Sequence, residues 1–200
     1  MILASKSPRR ISLMQQAGFD VEVQPANIDE EPLYAEKPEE LVRRLAYNKA
    51  ATVLESLGEN GQNELILAAD SIVWIDNTIL GKPKDRLDAM RMLKLLSGRT
   101  HHVTSGVCIM YQNKTIRFND TTDVTFYELD DHIISSYINS QEPMDKAGSY
   151  AIQGKGRVFV KSINGNYYNV VGLPIARVIR EIDKLCKSDY LCESVGRSDV

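Results

Sequence analysis

Residues 2–18 read ILASKSPRRISLMQQAG, and the fold turns on how that stretch is parsed. Ile2 to Ala4 form a short apolar strand, Ser5-Lys6-Ser7 a loop, and Pro8 the first turn of a helix. Ser7 offers an N-cap, Pro8 suits the first helical position, Ile11, Leu13, Met14 and Ala17 keep helical spacing, and Gly18 supplies the residue past the C-terminus. Such a junction points backbone N–H groups and the positive end of the helix dipole at one spot. Arg9 and Arg10 stand in that first turn, where each cation costs about 0.3–1 kcal/mol. An anion on the junction would reverse the cost, with Ser5 and Ser7 adding hydroxyl donors and the guanidinium forks gripping phosphate oxygens. The same arginines also read as solvated residues whose stems cover apolar neighbours.

Working outward, Phe19 to Gln24 (FDVEVQ) alternates like a strand, and ANIDEEPLYAEKPEE is a polar, acidic, proline-marked loop. The spacing predicts a helix from Pro38 to about Leu57, with Leu41, Val42, Leu45, Ala46, Ala50, Val53 and Leu54 on one face and Lys49 inside that stripe. LILAAD reads as a buried strand ending at Asp70, and SIVWIDNTIL as its extension into a hairpin turned at Asp76-Asn77. A third helix starts near Asp85, with Asp88 three residues on, and stops at Ser97-Gly98. From His101 to Leu129 the pattern is mostly β. DDHIISSYINS is a short helix, QEPMDKAGSYAIQGKG a glycine-containing loop, RVFVKSINGNYYNVVGL a hairpin turned at Asn164-Gly165, and IARVIREIDKLCK the closing helix. From about Ser188 the chain is polar and expected to fray. Strands linked partly by hairpins and partly by helices give a mixed α/β class.

The chain has 200 residues, 43% hydrophobic and 26% charged, with a formal net charge of −3. That is enough for one good core, so a single domain, with room for two lobes, is expected. Its apolar runs are too short for a membrane span, and the N-terminus lacks a basic segment followed by a long apolar one, which predicts a cytoplasmic protein. Cys108, Cys186 and Cys192 are odd in number and lack metal-ligand spacing, against a zinc site or a disulfide framework. Mild acidity without a Lys/Arg block argues against nucleic acid as a partner.

Ligands gather at the carboxyl ends of strands in α/β folds, so a carboxylate at Asp70 could bind a divalent cation or deprotonate a water; alone it reads first as a turn or cap residue. Glu30, in Ile28-Asp29-Glu30-Glu31, could complete a metal site with Asp70, although an acidic run is ordinarily solvated loop. Lys49 either snorkels to solvent or points into a polar cavity. Lys82 in Gly81-Lys82-Pro83 and Lys146 beside Ala147-Gly148 add cations that, with Lys49 and the two arginines, could balance a polyphosphate. The Gln153 amide could read a base edge, or belong to an exposed connector. His101 and His102 read as structural, and the aromatics of GNYYNVVGLP as hairpin packing. The chain contains no GxxxxGK[ST], GxGxxG or GxSxG.

ILASKSPRR, IDEEP, LAYNKA, AADSIV, ILGKPKD, MLKLLSGRTHHVTSGV, EPMDKAGSYAIQG and YYNVVGLP occur in this order. Together they resemble the Maf family of nucleoside triphosphate pyrophosphatases over nearly the whole chain to about Leu185. The resemblance implies an elongated mixed β-sheet flanked by helices, similar to inosine triphosphatases, with a cleft between two lobes, residues 1–187 forming one domain and 188–200 a polar tail. It implies hydrolysis between the α and β phosphates with a divalent cation (Mg²⁺, Mn²⁺ or Co²⁺), and a homodimer. By motif, Asp70 would be the proton acceptor, Glu30 and Asp70 the metal site, and Lys49 and Lys82 phosphate-facing. Arg9 and Arg10 would grip the triphosphate, Ser5 and Ser7 shape the loop, and Ser71 and Gln153 bear on substrate choice. Ser-x-Ser-Pro-Arg-Arg and the run from Asp145 to Gly154 side with the dTTP/UTP branch rather than the 7-methyl-GTP branch. Ser71 stands where threonine is usual and Ala151 where glycine is usual. The rival expectation is a non-catalytic nucleotide sensor that regulates septum formation.

Overall fold

The computed structural model describes residues 1–187, apart from the side chains of residues 59, 60, 62, 186 and 187. The expected tail at 188–200, with Cys192, lies outside the described residues, as does the Cys186 side chain. β1 (Ile2–Leu3) leads into α1 (Pro8–Gln16), β2 (Glu22–Val23) and α2 (Pro38–Leu57). β3 (Ile66–Ile75) and β4 (Thr78–Leu80) precede α3 (Arg86–Leu96), and β5 (Thr100–Tyr111) and β6 (Lys114–Phe126) precede α4 (Asp131–Asn139). β7 (Val160–Asn164), α5 (Tyr167–Val171) and α6 (Ile175–Lys187) follow. The result is a mixed α/β fold with a seven-stranded sheet in the order β2-β1-β3-β5-β6-β7, β4 pairing with β3. β1 is parallel to both β2 and β3, whereas β3–β4 and β6–β7 are antiparallel. α1 and α2 are the crossovers that parallel pairing of β1, β2 and β3 demands.

Two strands differ from the expected ones for reasons of sheet position. As a strand, β2 keeps only Glu22 and Val23 of FDVEVQ, because it is the last strand at its end of the sheet and both residues are exposed; short edge strands limit unwanted pairing. β3 does not stop at Asp70. Its first half is paired with β1 at Ile66 and Leu67 and its second half with β4 from Val73 to Ile75, so the strand has a neighbour on both sides of that carboxylate. The turn after it is the expected Asp76-Asn77, both at positive φ as a tight hairpin turn requires.

RVFVKSINGNYYNVVGL is not a hairpin. Lys155–Phe159 form a 3₁₀ turn, β7 is a single strand, and after Gly165 the chain becomes α5. Asn166 Oδ1 accepts the Tyr168 amide, capping the helix start. Thr122 Oγ1 on β6 takes the Asn166 amide and donates to its carbonyl, which ties the segment to β6. Gly165 has φ +126, and a Cβ there would sit 3.0 Å from Thr122 Oγ1. Tyr167 and Tyr168, expected to pack in a hairpin, are exposed and meet edge-on.

The chain divides into two compact units. Among the described residues, the first comprises Met1–Asp70, Ser105–Asn119 and 172–187; the second comprises Ser71–Thr104 and Asp120–Val171. In the first, Ala46, Ala50 and Val53 of α2 pack with Ile2, Ala4, Ile66, Ala68, Cys108 and Met110. The alanines let the helix lie close to the strands, and Gly106 on β5 takes this to its limit: a Cβ there would come within 2.2 Å of the Val42 carbonyl oxygen. The Cys108 thiol is wholly buried and its pKa is pushed up to about 12 by desolvation, which removes it from thiolate chemistry.

The second unit is built on aromatic packing. Phe126 meets His101, Tyr150 and Phe159 in edge contacts, and Tyr137 meets Phe159. His101 is fully buried, Nε2 2.9 Å from the Tyr150 hydroxyl. Desolvation and then the neighbouring His102 lower its pKa to about 3, so it serves the core as a neutral ring. His102 pairs with Asp123 at 2.7 Å and stacks on Trp74.

Candidate active site

α2 aims Lys49 into the first unit. Two turns earlier on the same helix, Val42 is locked against Gly106, which sets the helix's depth, and the alanine face on either side of Lys49 sets its rotation. Lys49 is only 8% exposed, a state lysine adopts only when paired. Its Nζ donates to Asp70 Oδ1 at 2.5 Å and pairs with Glu30 Oε1 at 2.6 Å. The ammonium does not snorkel to solvent; it is held on two carboxylates. It also gives Asp70, 9% exposed in mid-strand, a cation rather than a turn amide.

The strand–loop–helix junction lies in the same unit, and Arg10 ties it to β3. Arg10 Nε donates to the Gly172 carbonyl at 2.8 Å, and Nη1 to Ser5 Oγ at 3.1 Å and the Ala69 carbonyl at 2.8 Å. Burial lowers its pKa from the ordinary value; Asp70 opposes that shift, Arg9 adds to it, and Glu30 opposes it. Arg10 is therefore a buried fork that grips protein oxygens beside Asp70, while Arg9 is half-buried and close enough for its charge to be felt. Ser7 does not cap α1 with its side chain; its amide instead donates to Ser5 Oγ at 3.3 Å. Ser5 thus takes both the loop amide and Arg10, which stiffens the turn into the helix.

Glu30 stands at the rim, its side chain 58% exposed, in the acidic loop before α2. The loop is anchored a few residues later: Arg44 forks onto both oxygens of Glu36 at 2.7 and 2.8 Å and donates to the Glu31 carbonyl at 3.0 Å. Ser5, Arg9, Arg10, Glu30, Lys49 and Asp70 thus form one charged group of three cations and two carboxylates around the junction. Sequence reasoning missed the carbonyls of Ala69 and Gly172 and the close approach at Gly106. Gly172 lies in the quoted YYNVVGLP, but nothing local marks its carbonyl as an acceptor for a residue 162 positions earlier.

Ser71, Lys82 and Gln153 belong to the second unit. Ser71 is half-buried and follows Asp70 along β3; Lys82 and Gln153 are exposed. Among the described residues no group of three or more His, Cys, Asp or Glu side chains is placed to hold a metal ion. Glu30 and Asp70 are hard oxygen donors gathered on one ammonium. That donor type suits Mg²⁺, which is commonly held by one or two carboxylates with substrate phosphates and waters completing the shell.

A family model described as Maf-like protein matches residues 1–185. The chain belongs to the Maf family. Curated relatives from this family agree along almost the full length. A dTTP/UTP pyrophosphatase of Bacillus anthracis is 47% identical over 182 residues, covering 91% of this chain and 93% of the relative. One of Bacillus cytotoxicus is 49% identical over 181 residues, covering 90% and 93%, and one of Bacillus cereus is 47% identical, covering 91% and 88%. Among the described residues of this Maf protein, no helix is long and apolar enough to cross a membrane.

Proposed function

We propose that this Maf protein is a nucleoside triphosphate pyrophosphatase that hydrolyses dTTP and UTP to the monophosphate and pyrophosphate. The observation that carries the reading is Lys49 Nζ held between Asp70 Oδ1 and Glu30 Oε1, beside the Arg9–Arg10 helix start. A group with more cations than carboxylates suits a polyphosphate.

In the mechanism, the triphosphate lies over the N-terminus of α1, where backbone N–H groups and Arg9 meet its oxygens. Arg10 fixes the junction from beneath. Lys49 engages Asp70 Oδ1, and Oδ2 takes the proton as a water oxygen attacks the α-phosphorus. The bond from that phosphorus to the α–β bridging oxygen breaks, and its electron pair leaves with pyrophosphate. Lys82 stabilises the leaving group, and Ser71 and Gln153 contribute to substrate choice. Catalysis of this kind is chiefly positioning and electrostatic stabilisation. A divalent cation held by Glu30, Asp70 and substrate oxygens would supply charge neutralisation at the scissile bond. The resemblance further supports a cytoplasmic homodimer that limits modified nucleotides or acts in division arrest.

The test is pyrophosphate release from dTTP, UTP, CTP, GTP and 7-methyl-GTP with Mg²⁺ or Mn²⁺. Release from dTTP and UTP is expected, falling by at least about 100-fold in Asp70→Asn. Preference for 7-methyl-GTP overturns the substrate assignment, and folded protein that binds nucleotide without releasing pyrophosphate overturns the enzyme.

A further inference from the structure

Gln153 sits on a stretch, 151–154, with no regular structure of its own, yet its backbone is held from several sides. The Tyr137 hydroxyl on α4 accepts the Ala151 amide at 3.2 Å and donates to Glu142 Oε1 at 3.0 Å. Glu142 Oε2 accepts the Lys155 amide at 3.0 Å and Oε1 the Gly156 amide at 3.3 Å. Arg157 donates from Nη2 to the Gln153 carbonyl and from Nε to the Gly154 carbonyl, both at 2.7 Å. A Cβ on Gly154 would fall 2.1 Å from Glu142 Oε1, so the carboxylate occupies the space of the missing side chain. Burial opposes ionisation of Glu142, but the Lys155 amide, the Tyr137 hydroxyl, the Gly156 amide and Lys146 together lower its pKa below the ordinary value. These contacts hold the backbone around Gln153 while its side chain stays exposed, lining a cavity of about 550 Å³ with Ile152, Arg157, Val160, Ile163 and Tyr167.

We propose that Glu142, with Tyr137 and Arg157, is a positioning residue for base discrimination: it fixes the backbone from Ala151 to Gly156 so that the Gln153 amide meets the base at one distance from the sugar. This rests on the reading above in which Gln153 bears on substrate choice. Uracil presents an acceptor–donor pair at O4 and N3–H, and guanine the same pair at O6 and N1–H, set farther from the glycosidic bond. An amide can satisfy either pair. Discrimination between them therefore comes from where the amide is held, and a site loose by about an ångström loses it. The tight hold on five consecutive or near-consecutive backbone groups is the feature such a ruler needs.

The experiment compares kcat/KM for UTP and GTP, with Mg²⁺, in the full-length wild type, Gln153→Ala, Glu142→Ala and Tyr137→Phe. Tyr137→Phe keeps the ring that packs edge-on against Phe159, so it covers the case in which Glu142→Ala fails to fold. The UTP-to-GTP ratio is expected to fall about tenfold or more in Gln153→Ala and in each clasp variant, the scale of a lost specificity contact. A folded clasp variant that loses activity on both nucleotides equally shows a structural role only, and overturns the proposal. So does an unchanged ratio in both clasp variants when Gln153→Ala lowers it, and that result leaves the Gln153 reading standing. An unchanged ratio in Gln153→Ala overturns the reading and the proposal together, and no pyrophosphate from UTP in the wild type overturns the proposed activity itself.

Discussion

Replacing Lys49 by methionine tests the centre of the site most directly. The substitution keeps the length of the side chain and removes the ammonium, leaving Asp70 in a place where its side chain is 13% exposed and that of Lys49 is 11% exposed. Breaking a buried pair by removing one partner costs about 3–5 kcal/mol, because the remaining charge is left without compensation. Arg10, whose guanidinium feels the charge of Asp70, offsets part of this. The second partner, Glu30, is more than half exposed, and an exposed pair adds only about 0–1 kcal/mol. The expected loss is therefore at the lower end, about 3 kcal/mol. For a chain of this size each kcal/mol moves Tm by about 2–4 °C, so a fall of roughly 6–12 °C is expected. Thermal unfolding followed by circular dichroism, on wild type, Lys49→Met, Asp70→Asn and the double variant, checks it. Contacting charges couple by about 0.5–3 kcal/mol, so the double variant is expected to cost less than the two single variants together. Additivity within about 0.5 kcal/mol, or a Tm for Lys49→Met within 2 °C of wild type, refutes the reasoning that the pair is buried and mutually dependent.

Two further predictions concern the frame around the site. Because His101 has its pKa lowered to about 3, the unfolded chain binds its proton first as pH falls, so the contribution of the neutral ring is complete above about pH 6.5 and is lost toward pH 3. Urea unfolding of the wild type is expected to lose roughly 1 kcal/mol per pH unit between pH 6 and 4 beyond the loss in His101→Gln; equal slopes refute the buried neutral histidine. Gly106→Ala drives a methyl toward the Val42 carbonyl and is expected to destabilise by about 1–3 kcal/mol as overpacking. It is also expected to lower activity, because the same helix carries Lys49. A Tm and a turnover equal to wild type show that α2 does not need this close approach.

The chain by itself determined the features whose causes are local. α2 runs from Pro38 to Leu57 as its proline start, acidic first turn and apolar stripe require. The Asp76-Asn77 turn and the Asp85 cap, whose side chain accepts the Asp88 amide, follow from residues a few positions apart. Lys49 was conspicuous in the sequence because a cation interrupts an apolar face, and the order of the quoted motifs identified the Maf family.

Tertiary structure alone decided the rest. Lys49 meets a strand 21 residues downstream, Arg10 a carbonyl 162 residues away, and Asn166 a threonine 44 residues earlier. The last of these turned an Asn-Gly hairpin signal into the entry to a helix, and pairing on both sides carried β3 straight through Asp70. The physical reason is the same in each case. A side chain's donors and acceptors are visible in the sequence, but which of them are buried, and therefore which partners they have to find, depends on the packing of segments far apart in the chain.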